Sequence, residues 1–138
     1  MTVPETIKNQ FIEFIKLQAF DDQYISRQEE KRILEVGVKN GIGVEESLVL
    51  IRQVAADKGL VVERDAEEKA QAFLEKAASN DGKVDKKEFE DAVNLFKTAT
   101  KGKVTDQEIK QRLKKMMEDH AWRAKEGGLF GTKWYSAI

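Results

Sequence analysis

Two acidic segments of the chain carry carboxylates at a spacing that could bind a divalent cation. Asp22 and Glu29 lie in the first segment, and Asp81 and Glu88 lie at the same separation in the second. Asp85 adds another carboxylate to the second segment. Carboxylate oxygens suit Ca²⁺, Mg²⁺ and Mn²⁺. Asp81, Asp85 and Glu88 are therefore candidate ligands for a divalent cation.

The second segment has part of the pattern of a calcium-binding EF-hand loop. Gly82 would be the turn glycine at the sixth position, Val84 the apolar eighth and Glu88 the bidentate twelfth. The first position is Ala77, which offers no ligand oxygen, and the third is Ser79. The first segment departs further, with Gln18, Phe20 and Gln23 at positions one, three and six. Because Ca²⁺ needs about six or more oxygens, the pattern predicts weak cation binding.

The same carboxylates have a structural alternative, because they lie where helices are expected to begin. In a capping box, a hydroxyl or carboxylate and a Glu three residues later each accept a hydrogen bond from the other's backbone N–H. The chain has four such pairs, namely Ser26 with Glu29, Asp65 with Glu68, Asp85 with Glu88, and Thr105 with Glu108. A structural role and a metal role for these acids are both open from the sequence.

Groups for other kinds of chemistry are scarce. The chain has no cysteine and one histidine, His120, which falls in register with apolar residues of a predicted helix. We interpret His120 as a packing or capping residue, and we find no phosphate-binding loop or nucleophile elbow. The sequence therefore indicates a protein that is not an enzyme.

The charge balance argues against nucleic acid as a partner. Among 138 residues, 24 are Lys or Arg and 25 are Asp or Glu, a formal net charge of −1. Nucleic-acid binding usually needs a strongly basic face, and the basic residues around Lys114 are flanked by acids, which is typical of a solvated face. No apolar run reaches the ~18 residues of a membrane span. The start of the chain shows no signal peptide, so we expect a cytoplasmic protein.

Apolar residues recur at helical spacing along the whole chain. The pattern predicts a compact all-α bundle of about six helices over residues 1–126, with no sheet of more than two strands. The only proline, Pro4, suits the first turn of the first helix. The six apolar stripes are centred on Phe11, Ile33, Ile51, Phe73, Phe89 and Leu113.

The first acidic segment and its surroundings recur later in the chain. Five pairs of residues match at a constant offset of 59: Phe14 with Phe73, Asp22 with Asp81, Ile25 with Val84, Ser26 with Asp85, and Glu29 with Glu88. Each copy has the order helix, acidic turn, capped helix. The sequence thus predicts a bundle built from two related halves.

These turns resemble the turn motif of the tellurite-resistance TerB family. The residues that carry the resemblance run from Asp81 to Glu88 and, with Gln23 in place of the motif's glycine, from Asp22 to Glu29. The resemblance implies a helical domain of two halves with acidic residues implicated in divalent-metal binding. By position in the two turns, these residues would be Asp22, Glu29, Asp81 and Glu88. The resemblance also implies an adaptor role in stress-response or membrane-associated assemblies.

The C-terminal segment, residues 127–138, differs from the rest in composition. It has three glycines among five large apolar residues, which are Leu129, Phe130, Trp134, Tyr135 and Ile138. Such apolar bulk is unusual for a disordered tail. The segment is expected either to pack on the bundle or to dock on a partner through Phe130, Trp134 and Tyr135.

Two functional hypotheses follow from these patterns. The first is a TerB-like binding module, tuned by a divalent cation, that acts as an adaptor for a protein partner. The second is a metal-independent helical interaction domain that uses an apolar groove or the C-terminal aromatic segment. Binding in the presence and absence of a chelator would separate them.

Overall fold

The chain is mostly helical. A computed structural model describes residues 3–126 and 133–138, and about two thirds of these are helical. Within these ranges, no helix combines the length and apolar character needed to cross a bilayer. The described elements are α1 (Glu5–Gln18), β1 (Tyr24–Ile25), α2 (Arg27–Lys39), α3 (Val44–Lys58), β2 (Val61–Val62), α4 (Glu63–Ala78), β3 (Lys83–Val84), α5 (Lys86–Ala99), α6 (Asp106–Asp119) and β4 (Arg123–Ala124). The prediction of an all-α protein with about six helices is confirmed.

The elements fall into two compact units, unit 1 (Met1–Arg64) and unit 2 (Asp65–Ile138). The order helix, turn, strand, helix, helix, strand occurs in both, as α1-β1-α2-α3-β2 and as α4-β3-α5-α6-β4. The offset is 59 residues at the first strand of each unit and 62 at the second. The predicted duplication is therefore confirmed, and it extends beyond the acidic turns to the third helix and the closing strand.

Each unit contains one short pair of parallel strands. In unit 1, β1 pairs with β2, and the Gln23 carbonyl oxygen accepts a hydrogen bond from the Val61 N–H at 3.0 Å. In unit 2, β3 pairs with β4, and the Gly82 carbonyl oxygen accepts from the Arg123 N–H at 2.8 Å. These pairs agree with the expected limit of two strands per sheet. Two-residue strands are too short to show an alternating pattern in the sequence.

Three of the four predicted capping residues begin a helix. Ser26, Asp85 and Thr105 each accept a hydrogen bond from the backbone N–H three residues later, and the first two form complete capping boxes. The prediction for Asp65 is wrong, because α4 begins at Glu63 directly after β2. Pairing of β2 with β1 places Glu63 at the start of α4. There the buried Glu63 carboxylate accepts a hydrogen bond from the Tyr24 hydroxyl.

The core of unit 1 includes one close approach between α2 and α3. A Cβ placed on Gly37 would lie 2.5 Å from the Ser47 hydroxyl oxygen and 3.1 Å from the Phe11 ring. The Ser47 hydroxyl is buried and has no hydrogen-bond partner among the described residues. In unit 1 the largest fully buried side chains are Ile15, Ile25, Ile33, Ile42 and Ile51. In unit 2 they are Phe89, Phe96, Leu74, Ile109, Leu113 and Met117.

The two units differ in chemical character at a corresponding pair of buried positions, one charged and one aromatic. In unit 1 the position is Glu30, whose carboxylate is 3% exposed and accepts from the Arg64 Nε at 2.8 and 2.9 Å. In unit 2 it is Phe89, which contacts Trp134 and Tyr135. A buried ion pair in unit 1 and an aromatic cluster in unit 2 thus occupy equivalent positions. In each unit the partner residues lie after the second strand, β2 or β4.

Candidate functional site

The two acidic turns are closed by their own aspartates. The Asp22 carboxylate accepts from the Tyr24 N–H at 3.2 Å, and the Asp81 carboxylate accepts from the Lys83 N–H at 3.0 Å. The second carboxylate oxygen of Asp81 lies 3.2 Å from the Lys125 ammonium. The Lys83 N–H and the Lys125 ammonium hold the pKa of Asp81 below its ordinary value. At both turns an aspartate oxygen is engaged by protein groups.

The other candidate ligands take part in the capping boxes. The Ser26 N–H donates to the Glu29 carboxylate at 3.0 Å, and the Asp85 N–H donates to the Glu88 carboxylate at 3.0 Å. In return, the Asp85 carboxylate accepts from the Glu88 N–H at 2.7 Å. In residues 3–126 and 133–138, no three acidic or histidine side chains converge on a common point that could hold a metal ion. The structure thus gives these acids a capping geometry.

The described end of the C-terminal segment forms one turn that lies on unit 2. Trp134 and Tyr135 pack beside Phe89, with ring centroids 5.2 and 6.3 Å from it. The Trp134 indole N–H donates to the Lys125 carbonyl oxygen at 3.0 Å. Phe130, the third predicted partner-binding residue, lies outside the described residues. Trp134 and Tyr135 are both half-buried, so a partner would contact the part of each ring that stays exposed.

Glu126 fastens this turn through its carboxylate. The oxygens accept from the Tyr135 N–H at 3.0 Å, the Ser136 N–H at 3.0 Å and the Ser136 hydroxyl at 2.6 Å. These bonds, led by the Ser136 hydroxyl, hold the pKa of Glu126 below its ordinary value. From the other side, the Lys114 ammonium donates to the Tyr135 carbonyl oxygen at 3.2 Å. Two charged side chains, Glu126 and Lys114, therefore hold the turn in addition to its packing on Phe89.

His120 lies at the end of α6 as its C-cap residue. Its Nδ1–H donates to the Met116 carbonyl oxygen at 2.9 Å, and its exposed ring stacks on Trp122 at 4.5 Å between centroids. This geometry satisfies a carbonyl group at the helix end, as C-terminal side chains commonly do.

Unit 1 contains an apolar cleft that the sequence did not predict. It lies where α1 and α3 end, has a volume of about 440 Å³, and we call it the α1–α3 cleft. Two large apolar side chains stand open to solvent on it: Leu17 is 68% exposed and Phe20 is 75% exposed. The lining residues are Glu13, Lys16, Leu17, Ala19, Phe20, Gln23, Lys58 and Leu60.

The sequence carried a signal for this cleft in the register of α1. The buried residues Phe11, Ile15 and Ala19 recur every four positions and form the stripe that faces the core. Leu17 and Phe20 fall outside that stripe. An apolar residue outside the buried stripe either lies on the surface by chance or belongs to a second contact face. The spacing of residues in the sequence does not distinguish these two cases.

Comparison with unit 2 shows that the fold does not require apolar residues at these two positions. At the offset of 59, Leu17 corresponds to Lys76 and Phe20 to Ser79. The backbone is alike at both places, because the Phe20 N–H donates to the Leu17 carbonyl oxygen and the Ser79 N–H to that of Lys76. The same helix end therefore forms with polar side chains in unit 2 and apolar ones in unit 1.

Comparison of the chain with known proteins does not assign it to a family. No protein-family profile matches the chain, and neither a curated protein nor a solved structure is significantly similar to it. The TerB-like resemblance of the acidic turns accordingly stays a hypothesis.

Proposed function

We propose that the protein is a non-enzymatic, protein-binding module whose α1–α3 cleft receives apolar side chains of a partner without help from a divalent cation. The observation that carries this proposal is the exposure of Leu17 and Phe20 side by side on the cleft. Burying a large aliphatic or aromatic side chain is worth about 1.5–3 kcal/mol. A partner that covers both side chains would therefore gain a substantial part of a binding free energy.

The position of the two residues supports a binding role over a structural one. Exposed apolar residues are ordinary when they are scattered singly, whereas neighbouring ones beside a concave surface are typical of recognition sites. Unit 2 builds the same helix end with Lys76 and Ser79. Folding therefore does not account for Leu17 and Phe20.

The acidic turns support the metal-independent form of the proposal. Asp81 is engaged by the Lys83 N–H and the Lys125 ammonium, and Glu88 is engaged by the Asp85 N–H. A cation would have to displace these partners before it could bind. A TerB-like adaptor role in a cytoplasmic assembly remains the wider context that we propose, and the resemblance of the two turns is its support.

The proposal can be tested by affinity capture from extract of the native host, with the tagged protein and its variants as bait, in the presence and absence of EDTA. Replacing Leu17 by Lys and Phe20 by Ser introduces the residues that unit 2 carries at the same positions. Val38→Lys is the matched control, because Val38 is 57% exposed and does not line the cleft.

We expect a partner that is retained by the wild-type and Val38→Lys baits, lost from the Leu17→Lys/Phe20→Ser bait, and unaffected by EDTA. A partner that EDTA releases would favour the cation-dependent adaptor instead. If every specific partner is retained by the double variant, the cleft is not the binding site.

A further inference from the structure

We propose that the α1–α3 cleft binds one face of an amphipathic helix from a partner protein, with a carboxylate of that helix beside Lys58. This inference rests on the proposed function and adds the chemistry of the partner. Three features of unit 1 lead to it: the charge on the cleft rim, the shortness of the neighbouring strands, and the acidic residues next to Phe20.

The charge that remains uncompensated on the cleft is positive. Three charged residues line it, and two of these pair with each other, since the Lys16 ammonium lies 3.1 Å from the Glu13 carboxylate. Lys58 forms no ion pair with any residue that the structure describes. An acidic group on the partner would therefore find a free ammonium at the edge of the apolar surface, which gives the interface its charge complementarity.

The local backbone favours a helical partner over an extended one. An extended peptide usually binds by adding a strand to an open sheet edge. The strands that the structure describes in unit 1 are two residues long, so their outer edges offer few backbone groups to an added strand. A helix needs no such edge, because it presents apolar side chains three and four residues apart to an apolar groove.

The residues that follow Phe20 argue against a membrane surface as the occupant. Asp21 and Asp22 are exposed, and they would approach any surface that Phe20 entered. The cytoplasmic leaflet carries a negative potential that attracts basic and repels acidic segments. A protein helix with its own pattern of charges avoids this repulsion.

Peptide display provides the test, because it selects binding partners by their chemistry alone. The immobilised protein would select from a library of helix-favouring peptides of about 16 residues, the length at which isolated helices begin to persist. Binding of the selected peptides would then be measured by fluorescence anisotropy. The proteins compared are the wild type, Leu17→Lys/Phe20→Ser, Lys58→Glu and the Val38→Lys control, after circular dichroism has shown that each is folded.

We expect peptides with an apolar stripe and at least one flanking Asp or Glu. Their dissociation constants should rise at least about tenfold with Leu17→Lys/Phe20→Ser, as when a central anchor contact is lost, and stay unchanged with Val38→Lys. With Lys58→Glu, affinity should fall for the acidic peptide and recover when the peptide's carboxylate is replaced by Lys.

Other outcomes separate this inference from the proposed function. Peptides that depend on Leu17 and Phe20 but are extended, or are indifferent to Lys58→Glu, would overturn the helical or acidic partner and leave the protein-binding function standing. Peptides insensitive to the double variant would overturn both. Binding to phosphatidylserine vesicles that the double variant abolishes would identify a membrane as the occupant and overturn the inference.

Discussion

At the residue scale, Gly37 permits the close approach of α2 to α3. An added Cβ would lie 2.5 Å from the Ser47 hydroxyl oxygen, well inside van der Waals distance. Overpacking of this kind costs about 1–3 kcal/mol, which over most of that range exceeds the ~1 kcal/mol that Ala usually gains over Gly in a helix. Gly37→Ala should therefore lower the free energy of unfolding, measured by urea denaturation, despite the better helix propensity.

The double variant Gly37→Ala/Ser47→Ala checks the reason for this loss. Removing the Ser47 hydroxyl frees space for the new methyl group and also removes a buried polar group without a described partner. Part of the lost stability should return. If the two substitutions are simply additive, crowding against Ser47 is not the cause.

Asp81 lies in the turn where the sequence predicts weak cation binding. Its carboxylate already pairs with the Lys125 ammonium at 3.2 Å. We expect a dissociation constant on the order of 10⁻⁴ M or weaker for Ca²⁺, Mg²⁺ or Mn²⁺, the range of weak sites with few charged ligands. Amide chemical shifts of the Asp81 turn would report it. Lys125→Ala should strengthen the binding, and no response in either protein would remove the metal role.

At the scale of the element, α5 begins with a complete capping box. The Asp85 carboxylate accepts from the Glu88 N–H at 2.7 Å. Asp85→Ala should reduce the free energy of unfolding by about 1 kcal/mol, the usual cost of losing an N-cap, and Asp85→Asn should retain most of the stability. Thermal denaturation by circular dichroism measures both. A change below ~0.3 kcal/mol for Asp85→Ala, smaller than the usual capping effect, would mean that the box contributes little.

The C-terminal turn should be loosened by acid, because protonation removes the charge that strengthens the three hydrogen bonds that Glu126 accepts. Hydrogen bonds, above all from Ser136, lower the pKa of Glu126 in the folded protein from its ordinary value of 4.5. The stabilisation is therefore fully present above pH 4.5 and is lost as the pH falls through the lowered pKa. Trp134 fluorescence, measured in a Trp122→Phe protein, should shift to longer wavelength in that acidic range.

Glu126→Gln provides the control for this titration. The amide keeps the size of the side chain but does not ionise, so the acidic fluorescence step should disappear. If the step persists, another group releases the turn. Asp81 is the first to examine, because the Lys83 N–H and the Lys125 ammonium lower its pKa as well.

At the scale of the whole molecule, the duplication indicates which substitutions the fold should tolerate. Leu17→Lys/Phe20→Ser exchanges exposed residues for those at the corresponding positions of unit 2, so the free energy of unfolding should change by no more than about 0.5 kcal/mol. Ile15→Ala, on the buried side of the same helix, should cost about 2–5 kcal/mol. Urea denaturation of both variants would show whether the two faces of α1 differ as expected.

Features that depend on neighbouring residues could be predicted from the sequence, and features that depend on distant ones could not. The caps at Ser26 and Asp85 were predictable because each uses groups within one helical turn. The start of α4 was not, because it follows from the pairing of β1 with β2. The position of the α1–α3 cleft was missed for the same reason, since Leu17 and Leu60 line a common surface only after α1 and α3 have packed.

The parallel strand pairs also bear on the order in which the chain can fold. Tyr24 pairs with Val61, and Lys83 with Arg123, so each pair closes a loop of about 40 residues. Closing such a loop lowers the entropy of the chain before the two-residue strands can form their few hydrogen bonds. The helices, in contrast, form from local contacts. Each strand pair should therefore be a late event, and the protected amide protons of Val61 and Arg123 would mark a unit that has completed its folding.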